Sequence, residues 1–589
     1  MADLTPSSQN KPGTNPKPKS VLSALNDLSM ETRLFLAFGL MALVLMVTQY
    51  FMPSTKAIPP KAPAPVQNQA QNATPAPPAA PPVPAAKSAG RAAAAKSATS
   101  ALPAVVAEKQ ETRVIETPVY RVEFSNEGAT IVSWKLKKYK DSDGKLVELT
   151  SPVGNAKAGW PFSYIFSSVK PGTDLNKVLF AIEQPDPLTI EFRYSNGTLL
   201  ARKSFHFDAK GYRMSVASDV TESDRGLPHM LAWRAGFGDR TTHNEAGVQH
   251  AIHYETANSK LVVDDSKAAK NGPITHTGTF EFAGLEDNYF VAVALPEGGT
   301  PVDLQVWTDW FKMKSDGEDV AHVGAAFGTG LAPLRLSFFV GPKDHDVLRL
   351  TDPKLNQVID WGWFWFIAKP LFLGLHWVND NLTMNWGWAI IAVTIIINFL
   401  MLPLRFSSMR SMNKMAAIKP ELDAIAARYK DLPLRDPRKA KQNEETMALY
   451  SKHGINPMGG CVPILLQMPF FIAFFKVLST AIELRGAHWL WVMDLSSPET
   501  LPIRLLPVGM LVTQVLMQKM TPSPSTDPSQ KTMMMLMPVV LSVMFYSASS
   551  GLVLYWLTGN VVGIVQQYFF NKTAKKPVVI AAAPARKKK

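Results

Sequence analysis

Metal chemistry is the first possibility that the side chains raise. His243, His250 and His253 fall close to Glu245 and Glu255, and imidazoles with carboxylates are zinc donors. Their spacing matches no zinc or di-metal signature, and the segment reads as loop and strand. They are therefore read as ordinary surface histidines, and no metal or other cofactor is expected. No Ser-His-Asp order, His-Glu-x-x-His pair or phosphate loop lies in any apolar run, which disfavours intramembrane catalysis and leaves no candidate catalytic residue. What remains is amides and hydroxyls inside apolar runs: Thr394, Asn398, Gln467, Tyr555 and Asn560. At about 100° per residue, Thr394 and Asn398 lie about 40° apart on a helix, and Arg405 lies about 20° from Asn398, one to two turns further on. Helix–helix hydrogen bonding explains any one of these residues. A shared hydrated groove better explains the set. Lys476, nine residues from Gln467, faces the opposite side of its helix, where it snorkels outward or pairs with Glu483.

These residues need membrane helices to hold them, and the apolar runs supply them. Leu34–Met52 is a 19-residue run, close to the ~20 that cross a bilayer. Without a small-x-small cleavage pattern after it, it reads as an uncleaved anchor behind a cytoplasmic N-terminus, residues 1–33. Residues 53–118 are rich in Pro and Ala and poor in aromatics, the composition of a disordered linker. From Val119 to about Pro353 the hydrophobic period becomes two. Val119–Phe124, Ala129–Leu136, Leu188–Tyr194, Leu199–Phe207 and Tyr212–Val220 read as strands, with a type I′ turn at Asn196-Gly197. Many short strands without a helical period predict a large external β-sandwich over residues 119–354. Leu355–Asp380 carries Trp361, Trp363, Trp365 and Trp377 around Lys369-Pro370 and reads as an interfacial amphipathic helix.

Further spans are expected at Gly387–Leu404, Cys461–Ile482 and Leu501–Met517. The 38-residue apolar run Met533–Phe570 would be ~57 Å long as one helix, against a hydrocarbon core of ~30 Å. Ser547–Gly551 must therefore turn between two spans. The fold class is a polytopic α-helical membrane protein of six spans with a large β-sandwich domain. Charge agrees with this topology. Residues 405–455 carry net +5, the tail after Phe570 +7, and residues 1–33 and 519–532 +1 each, whereas the whole chain carries +13. The excess positive charge thus lies on the segments placed in the cytoplasm. Between spans, Met415, Ile418, Leu422, Ile425 and Tyr429 form one apolar stripe. A turn at Pro433 and Pro437 then leads to a second, charged helix. The pair makes a helical hairpin over residues 406–454, and its stripe calls for something to dock on it. The single cysteine, Cys461, rules out an intramolecular disulfide.

Four stretches carry a resemblance. I-N-P-M-G-G-C-V-P-I-L-L-Q-M-P from Ile455, M-P-V-V from Met537, and S-G-L-V-L-Y-W from Ser550 with Asn560 and Gln566-Gln567 resemble the YidC membrane-protein insertases. N-E-G-A-T-I-V-S-W-K-L-K-K-Y from Asn126 resembles the opening of their periplasmic domain. The resemblance implies a β-supersandwich related to sugar-mutarotase domains, a five-helix insertase core within residues 387–570, and a mobile cytoplasmic hairpin that receives substrate and partners. It also implies a groove, here lined by Thr394, Asn398, Arg405, Gln467, Met468, Phe471, Tyr555, Trp556 and Asn560. The family's groove arginine aligns with Asn398. That predicts a groove working through hydration at Asn398, with Arg405 nearer the cytoplasmic mouth. The function implied is insertion and folding of nascent inner-membrane proteins, alone or with the Sec translocon. The basic tail, residues 571–589, would meet the ribosome or anionic lipids. The rival is a secondary transporter with an external sugar-binding domain, which would bring inverted repeats and paired intramembrane charges; neither is found.

Overall fold

The computed structural model describes residues 104–573, apart from 240–248, 297, 313–318, 430–435, 437, 456–461 and 522–527. The anchor Leu34–Met52, the linker through residue 103, the tail from residue 574, His243, Glu245, Pro433, Pro437 and Cys461 lie outside the described residues.

Alternating side chains build the first half. Leu199–Phe207 buries every second residue, as a strand with one face on a core does. It belongs to a ten-stranded antiparallel sheet with Lys260–Asp264 at one edge, His250–Glu255 beside it, and Ala181–Asp186 at the other edge. A five-stranded sheet begins at Ile274–Gly278 and includes Val302–Phe311 and Val320–Gly328; a four-stranded sheet spans Thr112–Glu116 to Leu146–Glu148. Their inner faces share one core containing Trp134, Phe205, Phe282, Phe290 and Phe338. Lys203 is fully buried there, its ammonium donating to the carbonyls of Gly128, Ala129 and Phe162.

Two expectations change. The linker does not run to Pro118: Thr112–Glu116 is already a strand paired with Tyr120–Ser125, because Ile115 is buried in the core and Pro118 falls in the hairpin turn. The Asn196-Gly197 turn is not type I′, which needs positive φ at both residues. Gly197 alone has it, at +96°. The Asn196 side chain instead accepts from the backbone of Thr198 and Leu199.

The helices are α1 (Pro152–Ala158), α2 (His345–Thr351), α3 (Trp365–Val378), α4 (Trp386–Leu400), α5 (Leu402–Ala417), α6 (Lys419–Arg428), α7 (Arg438–Lys452), α8 (Val462–Thr480), α9 (Leu505–Met520), α10 (Pro528–Met544) and α11 (Ser550–Thr573). The single amphipathic helix expected at Leu355–Asp380 is two pieces. Pro353–Val358 is a 3₁₀ turn whose Leu355 and Val358 join the β core. α3 then buries Ala368, Phe372, Leu375 and Val378, while Trp363 (82 % exposed), Trp365, Phe366 and Trp377 face outward. Helix α4 stops at Leu400, short of the expected Leu404, because Pro403 has no N–H to continue the ladder. The run from Met533 breaks at residues 545–549 between α10 and α11. Among the described residues no single helix is long and apolar enough to cross a membrane. Trp365–Thr383 and Trp386–Leu400 are so together, bent 117° apart.

The stripe from Met415 to Tyr429 belongs to two helices, because α5 and α6 part at Ile418, just before Pro420. Its docking partner lies in the same loop: Met415, Ile418, Leu422 and Ile425 pack with Leu449 of α7 and with Ile455.

Candidate functional site

The Asn385 side chain caps α4, accepting from Gly387 and Trp388, and donates to the His488 carbonyl. A Cβ on Gly387 would stand 2.2 Å from the Trp489 ring, so glycine is what lets the two segments close. This fixes α4 against the segment that follows α8.

Along α4 the polar side chains turn inward to their own helix. Thr394, fully buried, donates to the Ile390 carbonyl at 2.6 Å, and Asn398 Nδ2 donates to the Thr394 carbonyl at 2.7 Å. Asn398 is 5 % exposed, and its Oδ1 has no hydrogen-bond partner among the described residues. Such an atom loses its solvation without compensation unless water reaches it.

Arg405 draws the elements together. It sits in the first turn of α5, and helical side chains lean toward the N-terminus, so its guanidinium points back toward the level of Asn398. Nη1 donates to Gln566 Oε1 at 3.2 Å and Nη2 to Gln467 Oε1 at 3.0 Å. Gln566 Nε2 in turn donates to the Asn398 carbonyl at 3.3 Å. One cation therefore joins α5, α8, α11 and, through Gln566, the end of α4. Gly563 makes room: a Cβ there would lie 3.3 Å from Arg405 Nη1 and 3.2 Å from Met517 Sδ. Gln467 is exposed and Arg405 half-buried, so the cluster opens on one side. Its chemistry is that of a positively charged hydrogen-bond donor beside amide donors and acceptors.

One turn along α8 from Gln467, Phe471 packs edge-on against Trp556 at 4.7 Å, and Phe474 lies 4.6 Å from Tyr555. Phe471, Tyr555 and Trp556 thus form an aromatic wall, with Met468 half-buried beside it. Asn560 does not join them. Its Nδ2 donates to Thr513 Oγ1 at 3.2 Å on α9. The reason is rotation: five residues carry Asn560 about 140° round α11 from Tyr555, whereas eleven bring Gln566 within about 20° of it. Gln566, quoted in the motif but not expected in the groove, was detectable from this angle.

Two other expectations are corrected. Lys476 neither snorkels outward nor pairs with Glu483: its Nζ lies 3.0 Å from Asp360, and Glu483 faces His376 at 3.4 Å. His253 is no surface histidine; it is 1 % exposed.

Family models match nearly all of the described chain: one for the YidC periplasmic domain at residues 112–373, one for the 60Kd inner membrane protein at residues 377–577. The membrane protein insertase YidC of Geobacter sulfurreducens is 33 % identical over 479 residues, covering 78 % of this chain and 86 % of its own. That of Syntrophus aciditrophicus is 30 % identical over 572 residues, covering 92 % of this chain and 100 % of its own. A crystal structure of active YidC insertase with its first transmembrane domain resolved aligns with 80 % of this chain and 95 % of its own at a TM-score of 0.35 and 18 % identity. These relatives lend the transporter reading no support. A β-sandwich followed by a helical region, matched in that order by the two models and over most of their length by full-length relatives, places the chain in the YidC family of membrane-protein insertases.

Proposed function

We propose that this protein inserts nascent inner-membrane proteins and helps them fold, through a polar groove centred on Arg405. The carrying observation is the span of that one guanidinium across Gln467 and Gln566, with the aromatic wall of Phe471, Tyr555 and Trp556 next to it. The polar cluster gives hydrophilic flanks and short tails of a substrate somewhere to hydrogen-bond, lowering a desolvation penalty of several kcal/mol per unpaired group. The charge favours acidic tails. The apolar helix of the substrate then moves along Met468, Phe471 and Trp556 into lipid, driven by hydrophobic transfer, with no covalent step and no nucleotide.

The same reading has six spans, with both termini in the cytoplasm and the β-domain outside. Its support is the excess of positive charge on residues 405–455 and the tail. The Sec translocon, the ribosome and anionic lipids are its partners, the latter two through the basic tail and the hairpin. The test is complementation in cells depleted of the native insertase, read by protease accessibility of a substrate's translocated tail. Restored translocation by wild type and its loss in Arg405→Ala are expected. Wild-type chain that leaves the tail untranslocated overturns the function.

A further inference from the structure

We propose that His253, Asp264 and His276 bind a divalent transition metal, zinc foremost, that clips together the open edges of the two larger sheets. His253 lies in strand His250–Glu255, and Asp264 ends the edge strand Lys260–Asp264 of the ten-stranded sheet. His276 lies in Ile274–Gly278, the edge strand of the five-stranded sheet. One donor atom from each residue falls within 4.8 Å of the other two. His276 Nε2 is 2.9 Å from Asp264 Oδ2, and the two imidazole centroids are 4.4 Å apart. Tetrahedral zinc with bonds of about 2.0–2.1 Å sets its ligands about 3.3 Å apart. The wider separations must therefore close by at most about 1.5 Å, and the Asp264–His276 pair must open by about 0.4 Å.

The polar atoms have no better use in the fold. His253 Nδ1 has no hydrogen-bond partner, and Asp264 Oδ2 and His276 Nε2 have none beyond their contact with each other. His253 is buried, and the Asp264 side chain is only 12 % exposed. Two imidazoles and one carboxylate suit zinc, copper or nickel, whereas calcium and magnesium prefer all-oxygen sets. Glu255 Oε1 stands 3.9 Å from His253 Nε2, and a closing movement of about 1 Å would let it orient the imidazole as an outer carboxylate. The ligands come from strands on both sheets, so the consequence is mechanical. With a single cysteine in the chain, no disulfide can staple this domain, and a metal can. Sequence spacing missed the site because Asp264 and His276 are eleven and twenty-three residues beyond His253 and meet it only through sheet packing.

The test is zinc titration of the full chain in detergent, freed of any affinity tag and stripped with a chelator. Wild type should take up one tightly held equivalent, with a rise in the melting temperature of its β-domain. Asp264→Asn and His276→Gln should each weaken binding more than about 100-fold, and Glu255→Gln about 10- to 100-fold, the range for outer-sphere partners. All three should match stripped wild type in metal-free melting. Absence of a tight equivalent in wild type overturns the proposal, with or without folded variants. So does undiminished affinity in both Asp264→Asn and His276→Gln.

Discussion

A single side chain, Arg405, decides how the polar residues of the helical region are read. The common face of Thr394 and Asn398 was legible from the helical period, whereas Arg405 lies past the break at Met401, on α5. Which of the three reaches across to other helices was not legible, because that depends on the lean of a long side chain and on the space above Gly563. Asn398 spends its side-chain donor on its own helix, whereas Arg405 bonds two others. The weight that the sequence places on Asn398 therefore moves to Arg405. Gly563→Val puts a branched side chain where Nη1 now lies. It should reduce insertion several-fold while expression and melting stay near wild type; full insertion would separate the guanidinium position from function. A second residue tests burial in the β-domain. Burial pushes the Asp287 carboxyl up from its ordinary 3.8 to about 6, against backbone donors at Phe290, Asp239 and Tyr289 that pull it down. The folded-state value is raised, so this stabilising contribution is full below about 4 and is lost as pH rises through 6. The difference is worth roughly 3 kcal/mol between the two ends. Asp287→Asn does not titrate, so the stability advantage of wild type over it should widen as pH falls from 7 to 4.5 in thermal melts. A constant gap would contradict the assignment.

At the scale of elements, the strand pattern was readable because every second residue of segments such as Leu199–Phe207 enters the core. The ends were less so: Thr112–Glu116 hides behind a Pro- and Ala-rich stretch, and its role depends on a distant pairing partner. In the hairpin the stripe was visible, but its occupant, Leu449 on α7, is known only from the packing. Leu422→Ala should cost about 2–4 kcal/mol of hairpin docking, seen as faster hydrogen exchange across Lys419–Arg428. The Arg428–Glu445 pair at its exposed rim should contribute less than about 1 kcal/mol. Equal effects of Leu422→Ala and Glu445→Ala would mean that charge, not the stripe, holds the hairpin. A different ion pair joins the two halves of the chain. Arg485, just beyond α8, pairs with Asp239 of the β-domain, donates to the Lys140 carbonyl, and lies against Tyr289 and Phe290. Both charges are buried, so Arg485→Ala should cost about 3–5 kcal/mol. Faster proteolytic release of the intact β-domain is the expected readout.

The whole molecule divides into an interior built twice, once between sheets and once between helices, with Ile482 passing into the β core at the junction. The helical half exposes large apolar side chains along α4, α9, α10 and α11, among them Ile396, Phe399, Val512, Val540, Val543 and Phe569. A surface of that kind suits lipid rather than water, as membership of an insertase family requires. Among the described residues of this half, the cluster at Arg405 ties Gln467 and Gln566 together and reaches the Asn398 carbonyl. The account stands on that cluster, and the direct measurement is tail translocation in depleted cells carrying Arg405→Ala, Arg405→Lys or Asn398→Ala at matched levels. Losing two charge-assisted bonds of about 1.5–3 kcal/mol each should lower translocation by Arg405→Ala more than about 100-fold. Arg405→Lys should fall between, since one ammonium cannot span both amides, and Asn398→Ala should lose less than either. Wild-type translocation by Arg405→Ala, with Asn398→Ala inactive, would contradict the account.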